Sequence, residues 1–171
     1  VWLTIRQQDA FIVLGDPKVK ADVQTRIGVV YDDTFIYFLV IADDPQAGSL
    51  SLDSRDFITV SINPKNTYYE WYQFVIHPFA LVKYCYVWKF YRDGEPERSW
   101  APGWKAAASR TGTGWSVEIA VPLTDMHAVA DPSRVWGFNV HRESDHAPNT
   151  TWTGRIDRPD QFGTLLFGET P

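Results

Sequence analysis

The feature that most constrains this chain is a succession of short β-type segments cut apart by turn residues. Residues 25 to 31, TRIGVVY, and 34 to 42, TFIYFLVIA, are rich in β-branched and aromatic side chains. The YDDT between them supplies an Asp-Asp turn, so the pair reads as a hairpin. DFITVSINP, 56 to 64, alternates Phe57, Thr59 and Ser61 against Ile58, Val60 and Ile62, and Pro64 stops it. TYYEWYQFVIHP, 67 to 78, alternates Tyr69, Trp71, Gln73 and Val75 against Tyr72, Phe74 and Ile76. LVKYCYVWKFY, 81 to 91, is a further strand. WKAAASR, 104 to 110, and GWSVEIAVP, 114 to 122, form an antiparallel pair around TGTG. RVWGFNVHRE, 134 to 143, and QFGTLLF, 161 to 167, complete the set, and LTDMHAVA, 123 to 130, is the single short helix. Strands at this spacing predict an all-β fold, an antiparallel two-sheet β-sandwich of jelly-roll or immunoglobulin-like form.

With 171 residues, no linker, no low-complexity stretch and no internal repeat, the chain reads as one domain over 1–171. A net charge of -5 without a Lys/Arg patch argues against a nucleic-acid partner. No apolar run reaches membrane-spanning length, so no membrane insertion is expected. Cys85 stands alone, and in KYCYVW it reads as a packed thiol. The start at Val1, without Met or signal peptide, reads as a processed product or a module excised from a larger secreted protein.

Catalytic motifs are missing. There is no G-x-S-x-G elbow, no phosphate-binding glycine loop, and nothing that pairs Glu70, Glu118, Glu143 and Asp56 across a glycosidic bond. No enzyme activity and no redox cofactor are expected. In GFNVHRESDHAPNTTWTG, 137 to 154, the residues His141, Glu143, Asp145 and His146 offer metal-type donors without a metal signature. A structural Ca2+ has more support in the acids at Asp32, Asp33, Asp43, Asp44, Asp53 and Asp56, set against the ordinary use of Asp in β-turns.

Aromatic content is the outlier: 15% of the chain, with 8 Trp. Most rings must be core. Trp71, Trp100 and Trp152 lie in polar or proline-broken surroundings, and Trp152 follows HAPNTT. A ring exposed beside amide, carboxylate and guanidinium groups suits a sugar, whose C–H face packs on the ring while its hydroxyls bond the polar groups. Trp152, Asn149 and Arg142 act together in that reading. In the alternative, Trp152 folds back to cap the end of the sandwich.

The order of motifs resembles the family 9 carbohydrate-binding modules and the wider DOMON-like β-sandwiches. The resemblance is carried by VVYDDTFIYFLVIADD, SRDFITVSINP, YYEWYQFVIHP, SWAPGWKAAASRTGTGWSVEIAVPL and WGFNVHRESDHAPNTTWTGRIDRPDQFGTLLF, from about residue 24 to 168. It implies a non-catalytic module that binds an oligo- or polysaccharide, attached to catalytic or other modules in an extracellular, cell-surface or periplasmic protein. It further implies that two tryptophans sandwich a terminal sugar, with calcium nearby. Asn149 and Trp152 match the family's amide-then-Trp pattern, and Trp71 is the opposing ring, with Trp88 and Trp100 as alternatives. Asp56 and Arg142 resemble polar positions at the same end of the sandwich, while Trp115 and Trp136 match framework positions. The fold group also contains haem-binding cytochrome domains, for which Met126 and one of the histidines would be the ligands. A third reading is a structural module of a larger glycoside hydrolase without a ligand of its own.

Overall fold

The computed structural model describes residues 8, 10–80, 83–89 and 95–168. Among the described residues, twelve strands make two antiparallel sheets: β1 (Ile12–Val13), β2 (Asp16–Lys20), β3 (Thr25–Tyr31), β4 (Phe35–Asp43), β5 (Phe57–Asn63), β6 (Glu70–Ile76), β7 (Lys83–Lys89), β8 (Lys105–Thr111), β9 (Gly114–Pro122), β10 (Val135–Glu143), β11 (Thr150–Thr151) and β12 (Gly163–Leu166). The larger sheet runs β2-β1-β11-β10-β5-β6-β7, and β12 pairs with β10 beside β11. The smaller runs β3-β4-β9-β8. This is the all-β sandwich that the alternation demands.

Three differences from the sequence reading have local causes. LTDM forms only a 3-10 turn, Leu123–Met126, and no helix. His127 takes a left-handed conformation there, and its N–H closes onto the carbonyls of Leu123 and Thr124, which ends the turn. The β1–β2 hairpin and the two-residue β11 carry too few alternating residues to show in a periodicity scan. Of the strand expected over 81–91, residues 83–89 are strand and 81, 82, 90 and 91 lie outside the described residues.

Turn chemistry sets the registers. Asp32 accepts from the N–H groups of Thr34 and Phe35 and so builds the β3–β4 turn. Between β5 and β6, Asn66 supplies a positive φ of 49°, and Asn63 holds both the carbonyl and the N–H of Thr67. From that register Ile58, Val60 and Ile62 lie opposite Ile76, Phe74 and Tyr72, all turned into the core. The sheets meet through such residues. Phe38 of β4 stacks on Phe138 of β10 with centroids 5.5 Å apart. Trp100 and Trp104 close one flank against Phe74.

Both faces of the larger sheet are occupied. Thr59, Ser61, Asn63, Gln73, Asn139, His141 and Thr151 point away from the core, yet each is buried. The chain after Trp152 accounts for part of this cover. Thr153 O accepts from the Asn139 amide and the Thr151 hydroxyl, and Ile156 O accepts from the Gln73 amide. These bonds spare Asn139, Thr151 and Gln73 the cost of an unpaired buried polar group, about 1–3 kcal/mol each.

Candidate functional site

Strand register divides the tryptophans between the two faces of the larger sheet. Trp71 on β6 lies opposite Trp88 on β7, on the outer face. Their rings are parallel within 4°, with centroids 5.4 Å apart. Trp71 is 4% exposed. The Trp88 indole N–H donates to the side-chain carbonyl of Gln73, and the Gln73 amide reaches Ser61. Trp152 lies elsewhere. Its N–H bonds Val140 O, and its ring meets Phe138, a core residue, at 5.5 Å. Gly163 must stay a glycine for this to happen, because a Cβ there would lie 2.5 Å from the indole. The pair expected to clamp one sugar, Trp71 and Trp152, is therefore separated by the sheet itself. Trp152 takes the capping alternative, and beside it opens a cleft of 340 Å³ lined by Gln8, Ile27, Val29, Phe138, Thr164 and Leu165.

Of the polar partners expected around the sugar, Arg142 and Asp56 are buried and Asn149 is exposed. Arg142 is 2% exposed and donates to Asp43 O at 2.6 Å and to the Asp44 carboxylate at 3.3 Å. It ties β10 to the end of β4, and none of its surface is offered to a ligand. Asp56 is fully buried, and loss of water pushes its carboxyl above the usual range. Asn149 is exposed, with its side-chain oxygen accepting from Ser144 N and its carbonyl accepting from Leu14 N.

Three of the six acids raised as calcium ligands have protein partners, and both buried carboxylate oxygens of Asp56 have no hydrogen-bond partner. Asp32 takes the Tyr37 hydroxyl in addition to its turn, Asp43 pairs with Arg26, and Asp44 takes Gln46 N beside Arg142. In the His-rich stretch, Asp145 binds Arg55, and His146 approaches Ser49. His141 is 3% exposed, and burial lowers its pKa to about 4. Among the described residues no group of three or more His, Cys, Asp or Glu stands close enough to hold a metal ion. Met126 is packed in the core at 1% exposure.

Among the described residues, the outer face of β7, the last strand of the larger sheet, is partly exposed. Tyr84, Tyr86 and Trp88 alternate along it, opposite Val75, Gln73 and Trp71. Tyr84 is 38% exposed, and Tyr86 and Trp88 are half-buried. Tyr84 contacts Tyr86 at 5.4 Å, and Phe57 extends the row at 6.1 Å. The Arg98 guanidinium lies 4.8 Å over the Tyr86 ring and bonds its hydroxyl. Rings beside an exposed, multi-donor guanidinium form a surface that packs sugar C–H groups and bonds hydroxyls. Sequence reasoning passed over Tyr84 and Tyr86 because KYCYVW reads as an ordinary buried strand. Its edge position was the missing signal, and that depends on long-range pairing.

The carbohydrate family 9 binding domain-like family matches residues 1–168. A search of curated proteins found no match. Among solved structures, a candidate carbohydrate-binding protein from Bacteroides uniformis superposes with a TM-score of 0.73 at 14% identity, covering 98% of this chain and 88% of its own. A family 9 carbohydrate-binding module from Caldicellulosiruptor kristjanssonii, solved with glucose, gives 0.71 at 12% identity, covering 99% and 87%. A family 9 module from the same organism, solved with cellotriose, gives 0.70 at 13%, covering 96% and 83%.

Proposed function

We propose, for a chain that belongs to the carbohydrate family 9 binding domain-like family and is a non-catalytic carbohydrate-binding module, that sugar is received on the outer face of β7. One observation carries this placement: Tyr84, Tyr86 and Trp88 form an accessible aromatic row with Arg98 beside it. Stacking gives affinity there, and the guanidinium, with five donors, orients the hydroxyls. The Gln73 network beneath holds Trp88 in place without touching ligand. The related modules solved with glucose and cellotriose support a glucose-type saccharide as the ligand. A polymer of that kind lies outside the cell, so the module serves a secreted or cell-surface parent protein carrying further modules.

The cleft beside Trp152 supports a second placement, since it also presents part of an indole, with Gln8 and Thr164 as its polar side chains. Calorimetric titration with glucose, cellobiose and cellotriose separates the two. Trp88→Ala is expected to weaken binding by about tenfold or more. Trp152→Ala is expected to lower the melting temperature while the folded protein keeps its affinity. The reverse pattern moves the site to the cleft.

A further inference from the structure

We infer that Asn149 is an acceptor for an asparagine-linked glycan, added while the chain is still unfolded. The chain meets the transferring enzyme only in a secretory route. The role in the cell therefore rests on the secreted parent proposed above, whereas acceptor competence is a property of this chain.

Asn149-Thr150-Thr151 is the one Asn-x-Ser or Asn-x-Thr sequence in the chain, and its middle residue is not proline. Of the other asparagines, Asn63 and Asn139 are buried. Asn149 is exposed, at the end of the stretch that joins β10 to β11. Its side-chain oxygen accepts from Ser144 N at 3.1 Å, and its backbone carbonyl accepts from Leu14 N at 2.8 Å. Neither bond uses Nδ2, the atom that a glycan joins. Among the described residues Nδ2 has no hydrogen-bond partner, so the amide is fixed through its oxygen while its nitrogen stays free. A modified side chain keeps both bonds.

Transfer is a substitution at the anomeric carbon of a lipid-diphosphate-linked oligosaccharide. Nδ2 forms the N–C bond and gives up one proton, while the C–O bond to the diphosphate breaks and the lipid diphosphate leaves. The enzyme reads the hydroxyl two residues on, and the folded chain withholds it. Thr151 is 0% exposed, with Oγ1 3.1 Å from Asn139 Oδ1 and 2.8 Å from Thr153 O. Transfer therefore precedes the pairing of β11 with β10. Once β11 has docked, the glycan starts well away from the β7 row. Thr150, next to Asn149, pairs with Arg142, Arg142 with Ile58, Ile58 with Ile76, and Ile76 with Lys83. From β11 to β7 that is four strand spacings, about 19 Å.

The test is secretion of the whole 171-residue chain from yeast behind a secretion leader, with mass spectrometry of the intact protein and its peptides. The expected product carries one N-glycan, on the peptide that contains Asn149, and peptide-N-glycanase leaves Asp at that position. Asn149→Gln should be secreted without the glycan, and Thr151→Ser, which keeps the hydroxyl, should carry it. An unmodified parent chain, or a glycanase-sensitive glycan that survives Asn149→Gln, overturns the inference. Folded chain from bacterial cytoplasm, given the transferase and its lipid-linked donor, should stay unmodified, and modification there overturns the order of events. The glycosylated chain should bind saccharide as the bare chain does. Loss of binding that an endoglycosidase restores supports the acceptor and instead overturns the β7 placement of the sugar site.

Discussion

Two tryptophans far apart on the larger sheet, both half-buried, pack in different ways. Trp152 follows a polar, proline-broken loop, yet it is wedged between Phe138 and the bare backbone of Gly163. Trp88 sits in the apolar run KYCYVW, yet it stands on the last strand of the sheet with part of its ring in the open. Local polarity forecasts neither outcome, since both rings are half-buried. A ring's accessibility is decided by what packs beside its strand, and that partner comes from far along the chain. The same contrast separates two groups of polar residues. Arg142 and Asn139 are sealed inside, where they bond Asp43, Asp44 and Thr153, and His141 is sealed there without a hydrogen-bond partner, whereas Arg98 is exposed over a ring.

Substitutions in the sealed region should cost stability, and those on the β7 row should cost binding. The largest effect is expected from Arg142→Ala, which strands the Asp44 carboxylate in the interior. Breaking such a pair costs about 3–5 kcal/mol, readable as a shifted denaturation midpoint. If the variant melts like the parent, the ion pair is not what joins β10 to β4. Trp152→Ala should cost about 3 kcal/mol by leaving a cavity against Phe138, and Gly163→Ala about 1–3 kcal/mol by driving a methyl into the indole.

His141 makes the sealed region sensitive to acid. Its folded pKa, about 4, lies below the ordinary 6.5, so the unfolded chain binds the proton more readily. Its contribution is intact above pH 6.5 and is lost as pH falls toward 4, at up to 1.36 kcal/mol per pH unit, or about 3 kcal/mol in all. Asp56 and Glu143, both held above the usual carboxylate range by burial, pull the other way on acidification. Melting temperatures across that window should fall less steeply for His141→Gln than for the parent, and parallel curves would remove the histidine from the account.

On the open side, Trp88→Ala should lose about 1–3 kcal/mol of saccharide affinity without a matching loss of stability once its melting curve is compared. Arg98→Ala should lose less, because an exposed guanidinium competes with water for the same hydroxyls. The smallest effect is expected from a chelator. Asp32, Asp43 and Asp44 already have protein donors, so titration curves with and without chelator should coincide. A chelator-dependent melt would restore a calcium site among the remaining acids.

Much of the architecture was legible in residue order. The alternation in DFITVSINP and YYEWYQFVI names core-facing and outward-facing residues correctly, because a strand's side chains must alternate and only one set is continuously apolar. The Asp-Asp turn was legible for an equally local reason, since Asp32 bonds N–H groups two and three residues away. The order of motifs also carried the family. The candidate site was legible only in kind. Trp71 and Trp152 stand on opposite faces of the sheet and Arg142 and Asp56 are buried, while Tyr84 and Tyr86, on which the proposed placement rests, were not singled out.

The reason is one of range. Alternation, turn geometry and composition act over a few residues, so the sequence alone determines that there are strands, where most begin, and which side of each is apolar. Tertiary pairing decides which strand becomes an edge and which outward face is roofed. Here it brings the chain after Trp152 back over Asn139 and Gln73, sets Arg142 against Asp43 and Asp44, and leaves β7 last in its sheet. Those contacts join residues up to 99 positions apart, and no short window of sequence contains them.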